Sequence, residues 1–348
     1  MAKRIALIPG DGIGPEVIAA ARRALEAAAP GALEFTALDW GAERYLREGR
    51  GMPGDGLETL RQHDALLLGA VGDPRVPDNR HAVEILLGTR FGLDLYVNFR
   101  PVRPLAERLC PLREIPGASL DFVVIRENTE GPYVGMGGNY QAGTAQEVAT
   151  EIDLNTRRGV ERVLRFGFEL ARSRPRRRLH MADKSNAMPH AGGLWQRVFA
   201  ELKPQYAEVA AAHLYVDAMA YQMVRDPRQF DVIVTNNLFG DILTDLAAAL
   251  QGGLGMAASA NFNPGRPPAL FEPVHGSAPA LAGKDQANPM GAMLSAALML
   301  DHLGLTAEAG RIETAVAAAL AARECTADVG GTLGTAAATE AILRRLRS

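Results

Sequence analysis

Short runs of apolar residues alternate along this chain with longer stretches in which apolar residues recur every three or four positions. The short runs are typical of buried strands, and the longer stretches are typical of helices that cover a sheet. The predicted strands are 4–8, 33–38, 65–69, 122–126, 179–183 and 230–235. The predicted helices are 15–28, 57–63, 154–171, 191–203, 241–250 and 307–323. This alternation predicts an α/β fold with a largely parallel sheet.

The length of 348 residues corresponds to about two domains. No low-complexity linker divides the chain and no internal repeat is visible, so we expect two interleaved domains rather than two domains in series. The composition, with 47% apolar and 22% charged residues, excludes a disordered chain. The net charge of −3 gives no support for nucleic-acid binding, and the arginine-rich loop 172–178 is interpreted as a solvated helix end.

Two cysteines, Cys110 and Cys325, provide no disulfide framework and no CxxC metal motif. The apolar run near the start of the chain is too short for the core of a signal peptide. The longest later apolar stretch, 293–300, is far shorter than the ~20 residues that a membrane span needs. These features predict a cytoplasmic enzyme with no membrane partner.

A glycine-rich turn, Gly10-Asp11-Gly12-Ile13-Gly14, follows the first predicted strand. A dinucleotide-binding Rossmann motif needs G-x-G-x-x-G, and here the third glycine is out of place. Such a turn can still bring backbone N–H groups to a ligand at a helix N-terminus, but a plain tight turn explains it as well.

Asp241 and Asp245 lie four residues apart at the start of a predicted helix, so both carboxylates face the same side. Two like charges there are stabilised by a hard divalent cation such as Mg²⁺ or Mn²⁺. The alternative is that both acids only complement the positive end of the helix. Asp217, among apolar residues after a predicted strand, is either a third ligand or a helix cap.

Three arginines lie next to turn signals or at the end of a buried strand, namely Arg90, Arg100 and Arg126. Guanidinium groups bind carboxylates in two-point contacts, so three of them suit a di- or tricarboxylate substrate. Three separate surface ion pairs are the alternative that the sequence leaves open.

Tyr133 and Lys184 are candidates for proton transfer. Only four of the 37 basic residues are lysines, and Lys184 follows a predicted strand end, where α/β active sites form. Lysine can lose its proton and act as a base, which arginine cannot do, and tyrosine can donate a proton. Each of them, taken alone, is also compatible with a structural role.

Together these segments resemble the β-decarboxylating dehydrogenases, the isocitrate/isopropylmalate dehydrogenase family. The resemblance covers nearly the whole chain. It rests on segments 8–16, 98–103, 124–131, 183–186, 237–245, 271–279 and 287–289.

The resemblance implies a role for each group of candidates. The substrate carboxylates would be bound by Arg90, Arg100 and Arg126. Mg²⁺ or Mn²⁺ would be held by Asp241 and Asp245 together with Asp217 of a second subunit. Lys184, also from that second subunit, would take the C2 hydroxyl proton, and Tyr133 would protonate the carbon after CO₂ leaves. The active site would therefore be shared across a homodimer.

The resemblance also implies the fold, a three-layer α/β/α sandwich of the isopropylmalate dehydrogenase type and not a classical Rossmann fold. It implies a cofactor-binding domain from residues 1–98 and 252–348, and a catalytic and subunit-interface domain from residues 99–251. The reaction would be the NAD-dependent oxidative decarboxylation of a 2-hydroxy dicarboxylic acid.

The residues before Arg90 bear on the substrate. Isocitrate enzymes of the family have Ser and Asn where this chain has Glu84 and Leu86, and homoisocitrate enzymes have Arg where it has Leu87. Leu86 and Leu87 are interpreted as an apolar wall. Segments 69–78, 124–131 and 261–264 favour D-malate or tartrate as substrate, whereas 216–220 is closer to isopropylmalate enzymes. D-malate or tartrate is our main expectation, and isopropylmalate is the alternative.

The resemblance places the cofactor on residues His275, Gly276, Ser277, Ala278, Ala280 and Asn288. NAD-dependent members have an acid at the position of Ala280, where it accepts hydrogen bonds from the ribose, and NADP-dependent members place Lys and Tyr there. Neither pattern is present, so we expect NAD with weakened selectivity. A non-catalytic regulatory subunit, which the family also contains, would have lost the metal aspartates or the lysine–tyrosine pair, and this chain has them all.

Overall fold

The computed structural model describes residues 2–347, apart from the side chain of residue 118. Its strands are β1 (Lys3–Gly10), β2 (Leu33–Ala37), β3 (Ala65–Ala70), β4 (Val97–Val102), β5 (Phe122–Glu127), β6 (Gly137–Tyr140), β7 (Val148–Glu151), β8 (Arg178–Asp183), β9 (Ala210–Tyr215), β10 (Val232–Thr235), β11 (Ala258–Asn263) and β12 (Arg266–Pro273).

The helices are α1 (Gly14–Ala28), α2 (Ala42–Glu48), α3 (Gly56–Arg61), α4 (Arg80–Ala82), α5 (Gly88–Gly92), α6 (Arg157–Ser173), α7 (Pro189–Leu202), α8 (Val216–Arg225), α9 (Asn237–Leu250), α10 (Met290–His302), α11 (Thr306–Ala321) and α12 (Thr335–Arg347). A single π-helical turn, Val83–Leu87, joins α4 to α5. Among the described residues, no helix is both long and apolar enough to cross a membrane.

The chain divides into two compact units that exchange segments. The first contains residues 1–95, 100–120 and 247–348, and the second contains 96–99 and 121–246. The polypeptide therefore crosses between them several times, and β4 contributes residues to both units.

In the first unit the strands follow the order β2-β1-β3-β12-β11. All neighbouring pairs in this order are parallel except β11 and β12, which are antiparallel. Every residue of β3 is buried, as expected for a strand covered on both faces. Helix α10 is apolar around most of its circumference and almost wholly buried, which places it in the interior of this unit.

In the second unit the strands follow the order β5-β10-β8-β9, and all these pairs are parallel. Helix α6 covers β5, β8 and β10 with its apolar face. The hydroxyl of Thr156 begins this helix by accepting a hydrogen bond from the Gly159 N–H at 3.0 Å. The helix therefore starts three residues later than the apolar spacing predicted, because the cap rather than the first apolar residue sets its start.

The second unit also carries a two-stranded antiparallel hairpin, β6 and β7, which the apolar pattern did not predict. All eight strand residues are exposed, so the hairpin has no buried face that could produce a period of two.

Candidate active site

Arg126, Tyr133 and Asp241 come together in the second unit, although they were identified on separate grounds. Arg126 is only 2% exposed at the end of β5, and its Nη1 forms an ion pair with the carboxylate of Asp241. The Tyr133 hydroxyl donates a hydrogen bond to the other oxygen, Asp241 Oδ2, at 3.0 Å. The Arg126 guanidinium carbon also lies 5.0 Å from the centre of the Tyr133 ring. A cation, an acid and a phenol therefore meet at one point.

Helix α9, which carries Asp241 and Asp245, begins at Asn237 rather than at the predicted Asp241. Asp241 therefore lies in the second turn, and Asp245 one turn further along. The field of a helix dipole falls off within the first turn. The dipole therefore does not explain why acids occupy these two positions. Both carboxylates are partly or fully exposed, and oxygen donors of this kind suit Mg²⁺ or Mn²⁺.

Lys184 and Asp217 form a second group. Lys184 follows β8 directly, Asp217 lies in the first turn of α8, and Lys184 Nζ is 2.6 Å from Asp217 Oδ1. The hydrogen bond from Lys184 lowers the pKa of the Asp217 carboxyl. In the described part of one chain, no three His, Cys, Asp or Glu side chains gather to hold a metal. Asp217 therefore does not complete a metal site with Asp241 and Asp245 of its own chain.

The loop that carries Lys184 is held by Asp183, a residue to which the sequence analysis gave no role. The buried Asp183 carboxylate accepts hydrogen bonds from the Ser185 N–H at 3.0 Å, from Gln196 at 2.7 Å and from His213 Nε2 at 2.9 Å. These partners lie on the β8–α7 loop, on α7 and on β9. An acid next to a lysine was visible in the sequence, but its distant partners were not.

A small, partly open pocket is lined by Lys184 together with Asp153, Asp183, Trp195, Asn236 and Phe239 among others. Both carboxylate oxygens of Asp153 are buried and have no hydrogen-bond partner among the described residues. Burial raises the pKa of this carboxyl. No local signal in the sequence distinguished Asp153 from an ordinary surface acid.

Arg90 and Arg100 belong to the first unit, and both are buried, with 5% and 7% of their surface exposed. Arg90 Nη2 contacts Glu272 Oε1 at 2.6 Å, and Asn261 Nδ2 donates to the same oxygen at 2.9 Å. The predicted alternative of a surface ion pair does not describe Arg90, because its partner Glu272 on β12 is buried as well.

The segment before Arg90 forms the π-helical turn Val83–Leu87. Glu84 does not extend freely into solvent, because its Oε2 accepts a hydrogen bond from the Gly51 N–H at 2.6 Å. Leu86 packs against the core cluster of the first unit, and Leu87 is half-buried. Val83, which the sequence analysis did not single out, is 53% exposed. Leu86 therefore contributes to the packing of the first unit, in addition to the apolar wall that is predicted for Leu86 and Leu87.

The predicted cofactor loop packs directly on the glycine-rich turn. The Ile13 N–H donates a hydrogen bond to the Ser277 carbonyl at 2.8 Å. A Cβ at Gly12, whose φ is +57°, would lie 2.0 Å from that carbonyl oxygen. The glycines of this turn therefore permit close packing against the loop. Next to Ser277, burial lowers the pKa of His275, whose Nδ1 lies 3.0 Å from the Gly276 carbonyl.

The remaining predicted cofactor residues flank this loop. Ala278 has the left-handed φ of +37°, and Ala280 is exposed on the turn that follows. The buried Asn288 donates to Asp328 Oδ2 at 2.9 Å and accepts from the Met290 N–H at 2.9 Å, which fixes it at the start of α10.

This α/β fold, which carries the predicted arginines, aspartates, lysine and tyrosine, is that of an oxidoreductase of the decarboxylating dehydrogenase class. The chain belongs to the isocitrate/isopropylmalate dehydrogenase family, whose sequence pattern matches residues 4–344. The expected fold and class are thereby confirmed. Enzymes of this family use NAD and a divalent metal such as Mg²⁺ or Mn²⁺, as the sequence analysis expected.

Individual relatives agree with this assignment. The chain is 52% identical over 325 residues to a 3-isopropylmalate dehydrogenase from Nocardia farcinica, covering 93% of this chain and 96% of the relative. An isocitrate dehydrogenase structure from Methylococcus capsulatus superposes with a TM-score of 0.91 at 35% identity, covering 100% of both chains. A beta-decarboxylating dehydrogenase from Thermococcus kodakarensis superposes with a TM-score of 0.80 at 36% identity, covering 99% of this chain and 96% of the other.

Proposed function

We propose that this protein catalyses the NAD-dependent oxidative decarboxylation of 3-isopropylmalate. The observation that carries this proposal is the identity of 52% to a relative of that name, extending over nine-tenths of both chains. Identity of this extent supports the alternative substrate of the sequence analysis rather than D-malate or tartrate.

The π-helical turn Val83–Leu87 offers independent support for an alkyl-bearing substrate. Its one acidic side chain, Glu84, accepts a hydrogen bond from the Gly51 N–H. The turn leaves Val83 exposed and Leu87 half-buried, a few residues before Arg90 in the chain. An isopropyl group gains from such a surface, whereas the hydrogen of malate or the hydroxyl of tartrate at the same carbon does not.

The residues present fit a divalent metal. Asp241 and Asp245 would hold it from one chain and Asp217 from a second copy, because Asp217 does not join them in its own chain. The bound ion would act as a Lewis acid on the oxygen at C2.

The side chains of the protein would carry the proton transfers. Lys184 would accept the proton of the C2 hydroxyl, and bound NAD would supply the hydride acceptor, so that C2 becomes the carbonyl carbon of a 2-keto acid. The bond between C3 and its carboxylate then breaks, CO₂ leaves, and the electron pair stays on the enolate. Tyr133 would deliver a proton to C3. Arg90, Arg100 and Arg126 would bind the two substrate carboxylates and fix the orientation of C2.

We assign the cofactor to the first unit, which carries residues 275–288, and the proton transfers to the second, which carries Lys184 and Tyr133. Helices α8 and α9 of the second unit leave large apolar side chains exposed, with Tyr221 at 61%, Val224 at 49% and Ile242 at 59%. Exposed apolar side chains of this size favour a covered face. We propose that a second copy of the chain covers it and brings Asp217 and Lys184 to the site.

A substrate panel tests the proposed function. NADH formation would be measured with Mn²⁺ and, in turn, 3-isopropylmalate, D-malate, tartrate and isocitrate, each also with NADP. The highest kcat/KM is expected for 3-isopropylmalate with NAD. A higher value for D-malate or tartrate would reject the proposed substrate, and no turnover of any of the four would reject the proposed chemistry.

Lys184→Ala tests the proposed base. Its activity should fall by roughly 10²–10⁴-fold, the usual contribution of a general acid or base. Lys203→Ala is the matched control, because Lys203 is an exposed lysine at the end of α7. Equal activity of the two variants would remove Lys184 from the mechanism.

A further inference from the structure

Asn237, the first residue of α9, uses both ends of its side-chain amide. It is 2% exposed, and its Oδ1 accepts a hydrogen bond from Arg126 Nε at 2.8 Å. Its Nδ2 donates to the main-chain carbonyl of Glu130 at 2.7 Å. One buried amide thus joins the start of α9 to the end of β5 and to the loop that leads to Tyr133.

Asn237 does not cap the helix. The preceding residue, Asn236, caps α9, because its Oδ1 accepts a hydrogen bond from the Phe239 N–H at 2.9 Å. The two consecutive asparagines therefore have different functions. Asn236 caps the N-terminus of the helix, and the amide of Asn237 contacts Arg126 and Glu130.

Close packing on both sides holds this contact in place. Gly240, one turn along α9, lies against the stem of Arg126, and a Cβ there would be 2.5 Å from Arg126 Cγ. Gly131 has a φ of +79°, and a Cβ there would be 3.1 Å from Cβ of Asn237. Neither position accommodates a side chain without displacing the groups that Asn237 joins.

The chemistry of the contact suits the binding of an anion. A guanidinium group is planar, so a hydrogen bond at Nε fixes the direction of its two Nη groups. The amide oxygen is neutral, so it orients Arg126 without adding a second negative charge to that of Asp241, which already pairs with Nη1. A second carboxylate at Nε would orient the group equally well, but it would compete further with a substrate carboxylate for the positive charge of Arg126.

The amide nitrogen of Asn237 helps to fix the position of Tyr133. Its hydrogen bond to the Glu130 carbonyl holds the loop three residues before Tyr133, whose hydroxyl contacts Asp241. The loop is also fixed by Glu130 itself, whose carboxylate accepts a hydrogen bond from the Thr156 N–H at 2.8 Å.

We propose that Asn237 is a positioning residue, which orients the Arg126 guanidinium for the substrate carboxylate and holds the Tyr133 loop to the same point. This inference rests on the proposed function, in which Arg126 binds substrate. Asn237 touches neither substrate nor cofactor in this account and acts through Arg126 and the loop.

Asn237→Ala and Asn237→Asp test the proposal by steady-state kinetics. Asn237→Ala should raise the KM for 3-isopropylmalate by about tenfold, the effect of losing one hydrogen bond to a charged group, and leave the KM for NAD unchanged. Asn237→Asp keeps an acceptor for Arg126 but adds a negative charge, so its KM for the substrate should rise at least as much. Asn263→Ala is the matched control, because Asn263 is a buried asparagine bonded to Asp94 at 3.1 Å. It should leave both KM values unchanged.

A double-mutant cycle with Arg126→Lys separates positioning from a general structural effect. If Asn237 acts through Arg126, Asn237→Ala should add little to the loss already caused by Arg126→Lys. Additive losses, or an unchanged substrate KM in Asn237→Ala, would overturn the proposal.

Hydrogen exchange of the Arg126 Nε–H provides a test that needs no turnover. The signal would be followed by NMR in protein with ¹⁵N-labelled arginine and assigned by its absence in Arg126→Lys. Its exchange should be slow in the wild type and at least about tenfold faster in Asn237→Ala. Equal exchange rates would overturn the proposal even if the wild type turned over 3-isopropylmalate. Conversely, a wild type that oxidised none of the four acids would reject the proposed function, while this measurement would still decide the role of Asn237.

Discussion

The Asp241 carboxylate shows how much a residue depends on its immediate contacts. Arg126 and Tyr133 approach its two oxygens, so this acid is held by a cation and a hydroxyl before any metal ion binds. Asp153, by contrast, has two buried oxygens and no partner among the described residues. Two aspartates of one unit therefore have opposite environments, and only their neighbours determine which of them suits a metal.

Ala280 permits a prediction about cofactor affinity. Ala280→Asp should add an acceptor for the ribose hydroxyls of NAD and lower the KM for NAD by roughly three- to tenfold, the effect of one net hydrogen bond. Ala322→Asp, which adds the same charge at the exposed end of α11, is the control. An unchanged KM for NAD in Ala280→Asp would contradict this interpretation of the loop.

Asp153 permits a prediction about pH and stability. Burial raises the pKa of its carboxyl in the folded state. An acid of this kind favours the fold while it is neutral, below its unfolded pKa of about 3.9, and that contribution is lost as the pH rises through the folded pKa. Asp153→Asn stays neutral throughout. Its free energy of unfolding relative to the wild type should therefore increase between pH values of about 4 and 7, as measured by urea denaturation.

The control for this experiment is Asp55→Asn, because Asp55 is exposed to solvent. Its stability difference from the wild type should not depend on pH in the same way. A constant difference between wild type and Asp153→Asn would show that the Asp153 carboxylate is stabilised by a partner.

At the scale of elements, the contact between the glycine-rich turn and the predicted cofactor loop, residues 275–280, joins two segments more than 250 residues apart in the chain. The Ile13 N–H and the Ser277 carbonyl are hydrogen-bonded at 2.8 Å. The turn therefore supports the loop instead of presenting all its N–H groups to a phosphate, as a Rossmann turn does.

Gly12→Ala tests this contact. Gly31→Ala is the matched control, because both glycines have a positive φ, +57° and +75°, but a Cβ at Gly31 meets nothing within 4 Å. Both variants carry the strain of the left-handed conformation, so their difference isolates the collision with Ser277. Gly12→Ala should lose about 1–3 kcal/mol more in free energy of unfolding than Gly31→Ala and should also raise the KM for NAD. If urea denaturation gave equal losses in free energy of unfolding for the two variants, the loop would move away from the new side chain without loss of stability.

At the scale of the whole molecule, the site residues of one chain fall into separate groups. Asp241, Arg126 and Tyr133 form one group, with Asp245 one turn along α9 from Asp241, and Lys184 and Asp217 form another. The proposed reaction needs both groups at one substrate. A homodimer that exchanges the second group between copies satisfies this requirement with the symmetry common to oligomeric enzymes.

Complementation between inactive variants tests this exchange. Lys184→Ala and Asp241→Asn should each lower activity by roughly a hundredfold or more alone. If the site is shared, a mixed dimer has one intact site and one doubly defective site, so co-expression should restore roughly a quarter of wild-type activity at random pairing. A site built within one chain predicts no recovery. Co-expression of Lys184→Ala with Lys184→Arg is the control, because neither copy supplies the lysine.

Strands β3, β5 and β10 were predictable from sequence because each contains a continuous apolar run that is buried on both faces. Strands β11 and β12 were not. Their buried polar residues, such as Ser259 and Asn261, break the apolar pattern. The side-chain amide of Asn261 donates hydrogen bonds to Leu270 and Glu272 on the neighbouring strand. These hydrogen bonds with the neighbouring strand cannot be inferred from the order of apolar and polar residues along the chain.

The sequence by itself determined the α/β class, the family and the residue types of the candidate site, because these depend on local periodicity and on motifs in a fixed order. The tertiary structure decided which of those residues meet. It placed Asp241 beside Arg126 and Tyr133, paired Lys184 with Asp217, and drew residues 100–120 into the first unit. It also identified three further residues. Asn237 and Asp183 form hydrogen bonds with residues that are distant in the chain, and the buried carboxylate oxygens of Asp153 have no hydrogen-bond partner among the described residues. Hydrogen bonds and burial between remote segments arise only when the chain folds, so no local signal could have revealed them.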